Sequence, residues 1–96
     1  MPKHLSDHQE ECLNILQEEC SEVIQAASKI KRFGLHNRHN PEDLTNLQNL
    51  ELELGDVLAL IDLCRMSGIG ITDEGLQRAK ENKVQRITKW MNTAKE

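Results

Sequence analysis

The chain has 96 residues, of which 2% are aromatic, and its formal net charge is −4. This length allows one domain, residues 1–96, and a domain of this size buries only about 60–65% of the surface that its unfolded chain exposes, which favours an oligomer. The acidic balance argues against nucleic-acid binding, which needs a cationic face. No apolar run is long enough to cross a membrane, and no segment resembles a signal peptide.

The composition favours helices, because Leu, Glu, Gln and Lys are plentiful while strand-forming aromatic residues are scarce. The cysteines are widely spaced and form no CxxC motif, which indicates buried, reduced thiols in a cytoplasmic protein. They are Cys12, Cys20 and Cys64.

The first predicted helix covers about residues 7–32. Ser6 and Gln9 have the spacing of a capping box at its start, and Gly34 is expected to end it. Apolar residues recur in between at steps of three and four, which places them on one helix face. They are Leu13, Leu16, Cys20, Val23, Ala27 and Ile30.

The second predicted helix starts at Pro41, with Asn40 as its N-cap, and ends at Gly68. Its apolar residues cover most of the helix circumference, so we expect it to be buried on several sides. In so small a protein, this pattern implies packing against another subunit. The residues concerned are Leu47, Leu50, Leu52, Leu54, either Val57 or Leu58, Leu60, Ile61, Leu63 and Cys64.

The third predicted helix runs from the N-cap Thr72, which two acidic residues follow, to about Thr93. Its inner stripe is expected to contain Leu76, Ala79, Ile87 and either Trp90 or Met91. The predicted fold class is therefore all-α. It is an antiparallel helical hairpin plus a third helix, which forms a four-helix-type bundle by oligomerisation.

Two acidic pairs lie on the first two helices, each with its members three residues apart. Glu19 and Glu22 share one face of the first helix, and Glu53 and Asp56 share one face of the second. Glu22 lies roughly 15 Å from the end of its helix and Glu53 roughly 18 Å from the predicted start of its own. In an antiparallel hairpin the two pairs are therefore expected to face each other.

Facing carboxylates repel unless a cation lies among them. Oxygen ligands without His or Cys select Mg²⁺, Mn²⁺ or Ca²⁺ rather than zinc. Gly55 fits a functional interpretation, since glycine costs about 1 kcal/mol relative to alanine inside a helix. A close approach of a neighbouring backbone or ligand would explain that cost.

Other interpretations stay open at this point. An acidic run on a helix is often a solvated face, and a non-catalytic helical interaction module is the second hypothesis. A carboxylate-bridged iron or manganese site of the ferritin type needs ExxH pairs, and neither acidic pair contains His. His36 and His39 form an HxxH pair, for which a solvated loop is favoured over a metal site.

The segments EECSE, residues 18–22, and ELGD, residues 53–56, resemble the EExxE…ExxD signature of the MazG-like all-α nucleoside triphosphate pyrophosphohydrolases. KENKVQR, residues 80–86, resembles the basic stretch on a later helix of that family. The resemblance covers about residues 10–90. It implies hydrolysis of a nucleoside triphosphate between the α and β phosphates, Mg²⁺ as cofactor with Mn²⁺ as a substitute, and a homodimer or homotetramer.

The resemblance also implies roles for particular residues. The metal ligands would be Glu19, Glu22, Glu53 and Asp56, and Glu18 would orient or deprotonate the attacking water. The cations on the third helix would neutralise the β and γ phosphates, and their three-residue steps place them on one side of that helix. These cations are Lys80, Lys83 and Arg86.

Overall fold

The computed structural model describes residues 4–93 and contains three α-helices in that range. They are α1 (Asp7–Phe33), α2 (Asn46–Met66) and α3 (Asp73–Trp90). The described residues contain no strand. The all-α fold class predicted from composition and periodicity is therefore confirmed, and α1 and α2 form the predicted hairpin.

The ends of α1 follow the predicted signals. Ser6 and Gln9 form the capping box, in which each side chain bonds to the other residue's backbone N–H at 3.0 Å. Gly34 follows the last turn with a φ of 92°, a conformation that glycine adopts without a steric cost, and its N–H donates to the carbonyl of Ile30 at 2.8 Å. The helix therefore ends where the glycine allows the backbone to turn.

The start of α2 differs from the prediction. The helix begins at Asn46 behind the N-cap Thr45, and not at Pro41. Thr45 and Gln48 form a second capping box, in which the hydrogen bonds between side chain and backbone measure 2.9 and 3.1 Å. This box satisfies two backbone donors at once, which Asn40 as a single N-cap would not.

The connection between α1 and α2 explains why Asn40 does not cap a helix. The Asp43 carboxylate accepts hydrogen bonds from the backbone and the side-chain amide of Asn40, at 3.0 and 3.2 Å, and closes a separate turn. The backbone N–H of Asn46 donates to the carbonyl of Asn37 at 3.0 Å. In a helix starting at Pro41 that N–H would bond four residues back, so the two arrangements exclude each other.

Side-chain hydrogen bonds tie the two ends of the hairpin and fix its antiparallel direction. Gln9, at the start of α1, donates to the carbonyl of Ser67 just after α2, at 2.9 Å. Asn46, at the start of α2, donates to the carbonyl of Gly34 just after α1, at 3.0 Å. The apolar side chains buried between the helices are Cys12, Ala26, Leu60 and Cys64.

The third helix does not pack against α1 or α2 within the described residues. An ion pair between Arg65 and Asp73, at 2.5 Å, links the end of α2 to the start of α3. The predicted inner stripe is wrong for the single chain, because α3 has no buried residue and Trp90 is 82% exposed. The helix also ends at Trp90 rather than Thr93.

For the single chain, the expected burial of Cys20 was wrong, and a neighbouring backbone does not account for Gly55, for which a bound ligand stays a prediction. Cys20 is exposed, so only two of the three thiols are buried. A Cβ added at Gly55 would meet no atom within 4 Å, so no neighbouring backbone approaches this glycine. Within residues 4–93, no helix combines the length and the hydrophobicity needed to cross a bilayer.

Candidate metal centre

Four carboxylates meet between α1 and α2. Each of Glu19, Glu22, Glu53 and Asp56 offers an oxygen, and these oxygens all lie within 4.8 Å of one another. Glu22 is exposed, while the other three side chains are half-buried. We call these four residues the acidic cluster. The spacing of three residues on each helix places both members of a pair on the face toward the other helix.

Two oxygens of the acidic cluster are buried without a hydrogen-bond partner: Oε2 of Glu19 and Oε2 of Glu53. Ionised carboxylates only accept hydrogen bonds, so they cannot satisfy one another. A buried acceptor without a partner is costly, and more so when it is charged. These two atoms therefore require either a proton or a cation.

The pKa values of the acidic cluster also indicate that it needs a proton or a cation. A hydrogen bond with Glu22 raises the pKa of Glu53 to about 7, and partial burial and the negative charges of Glu22, Asp56 and Glu19 act in the same direction. Partial burial raises the pKa of Glu19, and the charges of Glu22 and Asp56 add to this effect. The acidic cluster therefore resists carrying four negative charges.

The donor set fits a hard divalent cation. All four groups are carboxylates, and oxygen ligands suit Mg²⁺, Mn²⁺ and Ca²⁺, whereas zinc sites usually include His or Cys. A cation among them would meet the two unpartnered oxygens and remove the mutual repulsion. Among residues 4–93, no other group of three or more potential ligands lies close enough to hold a metal. His36 and His39 therefore belong to no such group.

Glu18 lies beside the acidic cluster but not in it. It precedes Glu19 directly, and its side chain is exposed. Successive residues point about 100° apart around a helix, so Glu18 projects to the side of the face that carries Glu19. Its role on the attacking water stays a prediction.

The cations of α3 do not meet the acidic cluster within one chain. Lys80, Lys83 and Arg86 are exposed, and α3 packs on neither of the other helices. The Arg86 guanidinium donates to the side chain of Asn82, at 3.3 Å. The structure therefore leaves the predicted phosphate contacts of this helix untested.

The structure adds residues next to the acidic cluster that the sequence argument missed. A cavity of about 270 Å³ adjoins Glu22 and Glu53, and Gln25, Lys29 and Asn49 also line it. Helical spacing could have predicted these neighbours. Gln25 and Lys29 follow Glu22 by three and seven residues, and Asn49 precedes Glu53 by four, so each lies on the same helix face as its glutamate. From the sequence alone, Lys29 is interpreted only as a cation near the end of the first helix.

Comparison with known proteins adds the family. The family model described as "MazG nucleotide pyrophosphohydrolase domain" matches residues 7–89, which is most of the chain. No curated protein and no solved structure matches the chain at the significance required. The matched range contains α1, α2, all of α3 except its last residue Trp90, and every member of the acidic cluster. The chain therefore belongs to the MazG nucleotide pyrophosphohydrolase domain family.

Proposed function

We propose that this chain hydrolyses a nucleoside triphosphate between the α and β phosphates, with Mg²⁺, to give a monophosphate and pyrophosphate. The family supports nucleotide pyrophosphohydrolase chemistry. One observation carries the assignment of the site, namely four carboxylates within 4.8 Å that include two buried oxygens without partners. Hydrolysis of a polyanion at such a site requires a cation, because the substrate and the acidic cluster would otherwise repel each other.

Glu19, Glu22, Glu53 and Asp56 would hold the metal. When bound, Mg²⁺ supplies positive charge and Lewis acidity to phosphate oxygens and can lower the pKa of a water ligand. The half-buried position of Glu19, Glu53 and Asp56 limits water around the reacting phosphate and strengthens the electrostatic interactions there. Phosphoryl transfer depends mainly on positioning and charge neutralisation, which are what these side chains provide.

Glu18 is the proposed general base. An exposed carboxylate beside a metal-holding residue can accept a proton from water without losing a ligand from the site. Attack of that water on the α phosphorus forms the new P–O bond and breaks the bond to the oxygen that bridges the α and β phosphates. Pyrophosphate leaves with that oxygen.

We further propose that the active unit is a homodimer or a homotetramer. Many large apolar side chains are exposed in the single chain, among them Ile24 at 70%, Leu58 at 65% and Trp90 at 82%. Exposed apolar surface on this scale marks interfaces. A second copy would cover the flanks of α2 and the apolar residues of α3, and it would explain why α3 packs on neither α1 nor α2 among residues 4–93.

Oligomerisation would also give the α3 cations a role. Lys80, Lys83 and Arg86 cannot serve the acidic cluster of their own chain while α3 extends away from it. In a symmetric dimer, each α3 lies against the other subunit if the contact is reciprocal. We therefore propose that α3 of one subunit brings these cations to the phosphates bound by its partner. The three unpaired cysteines fit the expected cytoplasmic location.

A panel of triphosphates tests the proposed reaction. Each nucleotide is incubated with Mg²⁺, and both pyrophosphate and monophosphate are measured. Glu53→Gln removes a member of the acidic cluster at nearly constant volume, and Glu51→Gln makes the same change at an exposed position of the same helix. We expect pyrophosphate release by the wild type and Glu51→Gln only. Absence of pyrophosphate from every nucleotide would refute the proposal.

A further inference from the structure

A groove leads from the acidic cluster to the connection between α1 and α2. The cavity beside Glu22 and Glu53 shares Lys29 and Asn49 with a second cavity, of about 300 Å³. Arg38 belongs to the wall of this second cavity. The two cavities therefore adjoin, and the groove runs from a strongly negative end to an end that carries cations.

The charges of the second cavity favour an anion. Lys29 and Arg38 line it together with His39, while Asp43 is its one carboxylate among the described lining residues. That carboxylate is already engaged by two hydrogen bonds from Asn40. Asp43 therefore stabilises the turn. No other described carboxylate lines this cavity to oppose the positive charges of Lys29 and Arg38.

Lys29 is placed to reach toward the acidic cluster. It lies seven residues after Glu22, which is two turns or about 10 Å along α1. Side chains on a helix lean toward its N-terminus, which favours a Lys29 side chain directed back toward Glu22. Both residues line the same cavity. Arg38 donates to the carbonyl of Pro41 at 3.0 Å, which holds the guanidinium at the other end of the groove.

The amide side chains between these cations add neutral donors. Asn49 is half-buried at the boundary of the two cavities. One hydrogen of the Asn46 amide binds Gly34, which fixes that side chain in the cavity wall. A polyphosphate offers many acceptor oxygens, and fixed amide donors beside cations suit such a ligand.

We infer that this groove binds the β and γ phosphates, so that Lys29 and Arg38 hold the pyrophosphate while the acidic cluster holds the metal at the α phosphate. The inference rests on the proposed function. Unlike the cations of α3, Lys29 lines the cavity beside the acidic cluster of its own chain, and Arg38 lines the cavity that adjoins it. This groove therefore contributes its phosphate contacts within one chain, and the α3 cations of the partner subunit would add to them.

Inorganic pyrophosphate is the probe for this inference. Its binding in the presence of Mg²⁺ is measured by isothermal titration calorimetry for the wild type, Lys29→Gln and Lys31→Gln. Lys31 is exposed on the same helix but lines neither cavity. Lys31→Gln is therefore the matched control, because it removes the same charge outside the groove. We expect Lys29→Gln to weaken pyrophosphate binding about tenfold or more, the effect of losing one charged hydrogen bond. Lys31→Gln should bind like the wild type.

Two further measurements exclude an effect on folding. Lys29→Arg keeps the positive charge and should retain pyrophosphate binding. In the wild type, pyrophosphate should shift the side-chain amide resonances of Asn49 and Gln25, which line the groove, in a heteronuclear NMR spectrum. Shifts confined to α3, or equal binding by Lys29→Gln and Lys31→Gln, would overturn the inference.

These outcomes separate the inference from the proposed reaction. Hydrolysis of a triphosphate by the wild type, with equal pyrophosphate binding by both lysine variants, would refute the inference and leave the reaction standing. Pyrophosphate binding that depends on Lys29, without hydrolysis of any triphosphate, would refute the reaction and retain the anion site.

Discussion

Glu53 faces Glu22 across the boundary between α1 and α2, and the hydrogen bond between their carboxyl groups raises the pKa of Glu53 to about 7. An ordinary glutamate has a pKa of about 4.3. The two residues come from helices that are separated by a connection of twelve residues, 34–45, so their contact depends on the register of the whole hairpin. This relationship makes both stability and metal binding depend on pH.

The metal-free protein should lose stability as the pH rises from about 4.5 to about 7. Over this range Glu53 ionises in the unfolded chain while it stays protonated in the folded one, so a rising pH favours the unfolded state. Thermal unfolding in the presence of a chelator, across this pH range, measures the effect. Glu53→Gln should flatten the dependence, and Glu51→Gln should not. A wild-type curve that rises steadily from pH 4.5 to 7 would contradict this interpretation.

Mg²⁺ should bind more tightly as the pH rises through about 7, because the metal requires the ionised form of Glu53. Binding below that pH should release a proton. Calorimetric titration with Mg²⁺ in two buffers of different ionisation enthalpy measures the number of protons released. Glu53→Gln should weaken Mg²⁺ binding by about 100-fold or more, since removal of a ligand exceeds the 10–100-fold loss seen for the residues that support one. Mg²⁺ affinity that is equal below and above pH 7 would argue against these ligands.

Replacement of a buried thiol should destabilise the hairpin. Cys64 is fully buried, and burial raises the pKa of its thiol. Cys64→Ser places a hydroxyl there, which should cost about 1–3 kcal/mol and lower the melting temperature by several degrees. Cys20→Ser is the matched control, because Cys20 is exposed. Thermal unfolding at one protein concentration compares the two, and equal melting temperatures would show that Cys64 is not packed as described.

Mixing two inactive variants tests whether α3 serves the partner subunit. Glu53→Gln removes a metal ligand on α2, and Lys83→Gln removes a phosphate contact on α3. If each site combines α2 of one subunit with α3 of the other, half of the sites in a mixed dimer are intact, so co-refolded equal amounts should recover about a quarter of the wild-type activity. Recovery no greater than the sum of the two variants alone would refute the shared site. Lys89→Gln, on the same helix, is the control and should keep activity.

The helices could be predicted from the sequence, but the start of α2 and the end of α3 could not. Apolar residues at steps of three and four, with a capping box at Ser6 and a glycine at position 34, give α1 within one residue. For α2 the predicted start at Pro41 was wrong, because Thr45 forms the capping box and the backbone N–H of Asn46 donates to the carbonyl of Asn37. Local patterns cannot rank signals whose outcome depends on a hydrogen bond to a distant residue.

The juxtaposition of the acidic residues could also be predicted, although the distance argument used the wrong start of α2. The register of the hairpin follows from its buried residues and from the hydrogen bonds at its two ends, Gln9 with Ser67 and Asn46 with Gly34. The length of the connection therefore matters little. The exposure of α3 could not be predicted, since an amphipathic pattern such as that of Leu76 and Ile87 does not show which chain covers it.

Anomalous diffraction from crystals grown with Mn²⁺ tests the central claim most directly, because it locates the metal itself. We expect an anomalous peak among Glu19, Glu22, Glu53 and Asp56, with oxygens of both α1 and α2 at about 2.0–2.3 Å, the range of small divalent cations. Crystals of Glu53→Gln should lose the peak, and those of Glu51→Gln should keep it. A wild-type peak elsewhere, or none at saturating Mn²⁺, would contradict the claim that these four carboxylates form the metal centre.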